Sequence, residues 1–146
     1  MYTSRESYYD LPIFEIDGSE YAIATNQEEA TNAVKSYVKE SIWSFNTDFI
    51  VEHTDLPQDF IPLLQTYQDT KYEDANELIL KLINDLDEFV EDAISADGRG
   101  HYLAFFDNHE KTLKEMKLSD EQIQEIQEEL GIDSEDIYDI LFYRVS

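Results

Sequence analysis

Two rhythms of apolar residues alternate along this chain. Near the start, Pro12-Ile13-Phe14-Glu15-Ile16 and Tyr21-Ala22-Ile23-Ala24 are short β-rich runs flanking Asp17-Gly18-Ser19-Glu20. Asp-Gly between such runs predicts a tight hairpin, because the favoured turn needs positive φ at its centre. Thr25-Asn26-Gln27-Glu28 carries a capping-box signature. Ala30, Ala33, Val34, Tyr37, Val38, Ser41, Ile42 and Phe45 then recur every 3.6 residues and predict a helix over about 26–44. Asn46 is placed to cap a short piece through Phe49, Ile50 and His53. Pro57 suits the first turn of another, whose regularity Pro62 limits.

The longest apolar stripe follows: Ala75, Leu78, Ile79, Leu82, Ile83, Leu86, Phe89, Val90, Ala93 and Ile94. With Thr70-Lys71-Tyr72-Glu73 as a second capping box and Asp97-Gly98 as its end, it predicts one helix over about 71–96. His101–Asp107 reads as a strand. So does Ile137–Val145, whose two apolar faces suit the centre of a sheet or a dimer interface. Leu113 and Met116 suggest a helical turn, and Ser119 with Gln122 caps a further helix to about 130, ended by Gly131. The sum is an α+β fold. A small, mostly antiparallel sheet of about four strands, an N-terminal hairpin plus a C-terminal pair, packs with about four helices. Residues 1–11 form an extended arm and 12–146 a single acidic domain, with no internal repeat and no long linker.

Charge changes this picture most. Thirty-four acids face ten bases, a net charge of −24. Residues 1–72 hold 13 acids and 4 bases, and residues 73–146 hold 21 and 6, so the excess lies in the second half. Disorder is the first alternative for such a chain, but 13% aromatic residues and many Ile supply a core. Direct nucleic-acid binding is excluded, since it needs Lys and Arg to displace counterions from phosphates. An anionic membrane surface repels this chain equally. No apolar run is long enough to span a bilayer, the residues MYTSRESYYDLP lack the basic and apolar regions expected of a signal peptide, and the absence of Cys fits a reducing cytoplasm.

Solubility needs only about 2–8 net charges in a small domain. High-salt adaptation, cation binding and imitation of a polyanion compete to explain the rest, and the Ile, Asn, Tyr and Lys content argues against extreme halophily. At 100° per residue, Glu73, Glu77, Glu88 and Glu91 point away from the stripe of the long helix, with Asp92 on its flank. Glu121, Glu125 and Glu128, with Glu129 beside them, oppose Ile123, Ile126 and Leu130. Steps of three and four residues set carboxylates about 5–6 Å apart, comparable with phosphates along one strand. These nine acids are the candidate partner-binding residues. A solvated helix face is the competing reading.

Other chemistry has weaker support. The acids lack EF-hand spacing. His53, His101 and His109 show no zinc-ligand pattern. No nucleophile elbow or Walker loop occurs, so an enzyme, a cofactor or a metal site is not expected. Asp97-Gly98-Arg99-Gly100-His101 is the most motif-like string. Its Arg suits an anion, but Gly98 suits a helix C-cap and Gly100 a strand entry. The single Trp43, with Phe45 and Phe49, suits an interface anchor or a place under a helix pair.

One resemblance adds context. Tyr21-Ala22-Ile23-Ala24-Thr25, the segment Glu40-Ser41-Ile42-Trp43-Ser44-Phe45-Asn46, Phe49-Ile50, His53-Thr54, Asp97–Leu103 (DGRGHYL) and Phe142-Tyr143-Arg144-Val145 together resemble a group of small acidic proteins encoded by tailed bacteriophages. The likeness runs from about residue 20 onward, with residues 108–135 departing as a longer acidic helical insertion. It carries no functional residue with it. It implies a host bacterial cytoplasm and a role against a defence or DNA-handling protein. The expected function is a non-enzymatic nucleic-acid mimic that blocks a basic DNA- or RNA-binding groove of a host protein, of anti-restriction or anti-CRISPR type. The alternative is a structural, assembly or dimeric protein whose acidity serves solubility only.

Overall fold

The computed structural model describes residues 2–146, with side chains from residue 7 onward. The fold is α+β, built on a five-stranded antiparallel sheet. The chain divides into two compact units, residues 1–34 with 96–146, and residues 35–95.

The first unit holds the sheet. Its strands are β1 (Tyr2–Tyr8), β2 (Leu11–Ile16), β3 (Ser19–Ala24), β4 (Glu110–Thr112) and β5 (Leu141–Arg144), in the order β1-β2-β3-β5-β4. Asp17 (φ 52°) and Gly18 (φ 85°) form the predicted two-residue turn, which aligns Ile16 with Ser19 and Phe14 with Tyr21. Of the segment expected as an extended arm, Met1 lies outside the described residues and Tyr2–Tyr8 pair with β2. Alternation puts Phe14, Ile16, Tyr21, Ile23 and Phe142 on one face. They form a core with Leu113, Ile126, Ile137 and Ile140. Ala22, Ala24, Leu141 and Tyr143 occupy the other face and are equally buried. β5, buried on both faces, is central, as its two apolar faces predicted.

Helix α1 (Gln27–Ser41) begins in this unit and crosses its boundary. Its N-cap lies one residue after the predicted start: Asn26 Oδ1 accepts from the Glu29 amide at 2.8 Å, and Glu29 Oε2 accepts from Thr25 Oγ1 at 2.7 Å. Helices α7 (Leu113–Met116) and α8 (Asp120–Leu130) both start on full capping boxes, Thr112 with Glu115 and Ser119 with Gln122. α8 ends at Gly131, as expected. Its fully buried Ile126, worth roughly 1.5–3 kcal/mol, anchors it to the core.

The predicted strand 101–107 is instead helix α6 (Arg99–Leu103) and the loop after it. The Ala104 amide donates to Gly100 O at 2.9 Å, the i to i−4 bond of a helix, and Tyr102, Leu103 and Ala104 are all buried. Gly100 is not a strand entry but part of this helix. A Cβ on it would meet Asn108 O at 2.6 Å and Glu110 N at 2.7 Å, so only glycine lets α6 lie against β4. β4 itself, Glu-Lys-Thr on the sheet edge, has no apolar pattern to announce it. The expected strand 137–145 is shortened, because Asp136–Asp139 form a 3-10 turn before β5.

The second unit is helical: the end of α1, α2 (Thr47–Glu52), α3 (Ile61–Lys71), α4 (Asn76–Leu82) and most of α5 (Leu86–Asp97). Its buried residues include Val38, Ile42, Ile50, Val51, Leu64, Ile79, Phe89 and Val90. Asn46 caps α2 as predicted, accepting from the amides of Asp48 and Phe49. Pro57 is extended ahead of a 3-10 turn, and Pro62 sits harmlessly in the first turn of α3.

The single helix expected over 71–96 is broken twice. Thr70 caps nothing: it lies inside α3, its hydroxyl donating to Thr66 O. The chain turns at Tyr72 (φ 52°, ψ −130°) into a 3-10 segment, Tyr72–Ala75. A second break falls at Ile83-Asn84-Asp85. There the Asn84 amide donates to His53 O (2.9 Å), its side chain to Asp55 (3.1 Å), and Asp85 Oδ1 accepts from the Glu88 amide (3.2 Å). Asp85 thus opens α5 as a cap, a signal concealed by the continuous apolar stripe.

Candidate acidic surface and aromatic cleft

The nine candidate acids fall on four helical segments in two units. Glu73 lies in the 3-10 turn before α4 and Glu77 in the first turn of α4. Glu88, Glu91 and Asp92 lie on α5, and Glu121, Glu125, Glu128 and Glu129 on α8. The 3-10 turn holding Glu73 and the break at Ile83–Asp85 therefore dissolve the continuous row expected along one rod. Eight of the nine are exposed and Glu125 is half-buried. Asp92 is engaged within the protein, 3.1 Å from His53 Nε2, while His53 stacks among Phe49 and Phe89. Among the described residues none of the other exposed candidates is ion-paired; Lys35 pairs with Asp87 (2.6 Å) and Lys111 with Asp107 (3.0 Å).

Helix α8 (DEQIQEIQEEL) is as one-sided in charge as α5: each holds five acids and no base. Asp120 and Glu121 favour the helix, because carboxylates suit the positive end of its dipole. Glu128 and Glu129 occupy the last turn, where each opposes the dipole by about 0.3–1 kcal/mol. α5 shares the defect, with Asp97 at its end and no base in its last turn. Helix stability does not account for acids in these places.

The Asp97–His101 string is built for packing. Arg99 Nε and Nη2 donate to the two carboxylate oxygens of Glu110 at 2.6 and 3.1 Å, and Tyr143 OH donates to Glu110 Oε1 at 2.5 Å. Burial pushes Glu110 up, but the hydrogen bonds from Arg99 and Tyr143 and the Arg99 charge outweigh it and hold it below its ordinary value. Burial, then the Glu110 contact, pushes the Tyr143 phenol far up. The guanidinium that suited an anion is thus occupied by a carboxylate of its own chain. Gly98 (φ 84°) follows the end of α5 as expected, whereas His101 is exposed on α6, edge-on to Tyr102. Glu110 and Tyr143 were not foreseen, because only the β4–β5 register brings them opposite each other.

The second unit contains a cleft of about 470 Å³. Trp43, predicted as an interface anchor or a covered core residue, is a half-buried wall of it. Tyr72 forms a second wall, its ring 6.4 Å from the indole and inclined at 82°. Asp48 and Asp69 line the same cleft. Beneath them lies Gln68, 7% exposed, whose Nε2 donates to the carbonyls of Trp43 (2.7 Å) and Phe45 (2.9 Å) and whose Oε1 accepts from Thr47 Oγ1 (2.6 Å).

Among the described residues no group of three His, Asp or Glu is arranged to hold a metal ion, and no helix is long and apolar enough to cross a membrane. Comparison with protein-family models, curated proteins and solved structures finds no match to this chain.

Proposed function

We propose that this chain is a non-enzymatic binding protein that imitates a nucleic-acid backbone and occupies a basic DNA- or RNA-binding groove of a bacterial host protein. The observation carrying this reading is the placement of acids on α8: five on eleven residues, no base, two of them where the helix dipole disfavours them. An arrangement that costs stability and exceeds the needs of solubility is accounted for by a cationic partner. Association would be steered by charge and weakened by salt. The acids on α4 and α5 form further patches for the same purpose. The resemblance to acidic phage proteins supports the host setting, the bacterial cytoplasm.

The test is capture of partners from bacterial lysate by the tagged chain, with and without competing duplex DNA or RNA. Recovery of a nucleic-acid-binding protein that the added polymer displaces is the expected result, with capture reduced at least tenfold by the triple change Glu121→Gln, Glu125→Gln, Glu128→Gln. Capture that ignores both the polymer and the triple change would overturn the reading.

A second reading, an assembly protein, draws on Phe105 (79% exposed) and Tyr138 (75% exposed) in the sheet unit. Edge-to-edge pairing through β5 is disfavoured, because β5 is hydrogen-bonded to β3 on one side and to β4 on the other. Sedimentation equilibrium of the wild type against Phe105→Ser with Tyr138→Ser tests it: a dimer that the pair dissociates favours assembly.

A further inference from the structure

We infer that the cleft lined by Trp43, Tyr72, Asp48 and Asp69 is a recognition site for a guanidinium group, specifically an arginine side chain presented by a protein partner. The inference rests on the reading of a basic partner for its source of arginine, but the chemistry is that of the cleft alone.

Two aromatic rings at nearly a right angle form adjacent walls, and a cation is attracted to the face of an indole or phenol ring, most strongly to the indole. Asp48 and Asp69 line the same space, and among the described residues neither has a cationic partner. Guanidinium matches both features together, since its flat face stacks on a ring while its edge donates to carboxylate. A net charge of −24 disfavours any anion here. The volume lies within the roughly 300–1,000 Å³ usual for ligand pockets.

Hydrogen bonds hold the backbone that carries these walls. Trp43 is held through its carbonyl by Gln68 (2.7 Å) and through its amide by Asn76 Oδ1 (3.1 Å), while Asn76 Nδ2 donates to the Lys39 carbonyl. The amide of Asp48 is held by Asn46 (2.9 Å). Tyr72, 62% exposed, stands in a backbone conformation, φ 52° and ψ −130°, that a bulky side chain disfavours. Preorganisation of this kind lowers the ordering cost of binding.

Trp43 is the only tryptophan, so its emission reports occupancy directly. The probes are a blocked Ala-Arg-Ala peptide, its citrulline counterpart, in which the charge is removed at nearly constant shape, and free propylguanidinium. All are titrated at fixed ionic strength. The arginine peptide should give a saturable change with a dissociation constant on the order of 1 mM, at least tenfold below that of the citrulline peptide. Asp48→Asn with Asp69→Asn should weaken it at least tenfold, as should Tyr72→Gly, which removes a wall and relieves the backbone. The α8 triple change should leave it unaltered.

Equal binding of the two peptides, or no saturable response up to about ten times the expected constant, would overturn the inference. Propylguanidinium binding tenfold more tightly than the peptide would overturn the assignment to a protein side chain. If partner capture fails while the arginine peptide binds, nucleic-acid imitation falls and the cleft stands. The converse result leaves imitation standing and removes the cleft.

Discussion

Arg99, Glu110 and Tyr143 link α6, β4 and β5 through one shared carboxylate, and each titrating member leaves its own mark on pH dependence. Glu110 is held below its ordinary value of 4.5 in the folded chain. Its contribution to stability is therefore complete above the unfolded value and is lost as pH falls through the lower folded one. Tyr143 is raised from 10.0, so its contribution is complete below pH 10 and lost as pH rises beyond it. Urea denaturation across pH should show Glu110→Gln costing about 2 kcal/mol at pH 7 and flattening the acid limb. Tyr143→Phe should cost about 1 kcal/mol and flatten the alkaline limb. An unchanged acid limb in Glu110→Gln would show that other carboxylates dominate it. None of this network was legible in the sequence beyond Arg99 itself, because its members are 11 and 33 residues apart and meet only through strand register.

Among the elements, those with local signals were legible. Asp17-Gly18, Asn46, Ser119 with Gln122 and Gly131 each mark a boundary through the backbone conformation or the orphan amides they satisfy. Apolar periodicity was less dependable. It carried a stripe straight through Ile83-Asn84-Asp85, where the His53 carbonyl takes the Asn84 amide and the Asp85 side chain takes the amide of Glu88. It could not foresee β4, a polar edge strand, or that Gly100 makes room for a helix.

Of the candidate acids, exposure was mostly legible from the helical wheel, while their division among separate helices was not. The chemistry of α8 gives a prediction at this scale. Glu128→Lys with Glu129→Lys should raise the melting midpoint, because two charges then agree with the dipole, together worth about 1 kcal/mol or more. The same pair should weaken partner binding. A melting midpoint that falls would remove the argument that these acids stand against the stability of their helix.

For the whole molecule, self-repulsion among 34 acids opposes compaction. Raising salt from 0.01 to 1 M shortens the screening length from about 30 to about 3 Å. The melting midpoint should climb by roughly 5 °C, at about 2–4 °C for each kcal/mol relieved. The same salt should dissolve a charge-steered complex, so stability and binding move in opposite directions in one titration. A midpoint indifferent to salt would mean that the carboxylates are too well solvated to repel one another. The aromatic cleft was only half legible at this scale: Trp43 stood out as the single tryptophan, but the turn that brings Tyr72 beside it had no sequence signal.

Strand β5 enters the sheet between β3 and β4, pairing Tyr21 with Arg144 across almost the entire chain. The helical unit lies inside that span and is contiguous in sequence. Its contacts need only short loops to close, whereas the β3–β5 ladder must close a loop of well over a hundred residues, and such ladders form slowly. Refolding should therefore be ordered in time, with Trp43 emission recovering first and amide protection along β3 and β5 following as a slower phase. Until β5 docks, one edge of β3 stays open to any other extended chain. Concentrated refolding mixtures should accordingly lose material during that interval and not before it.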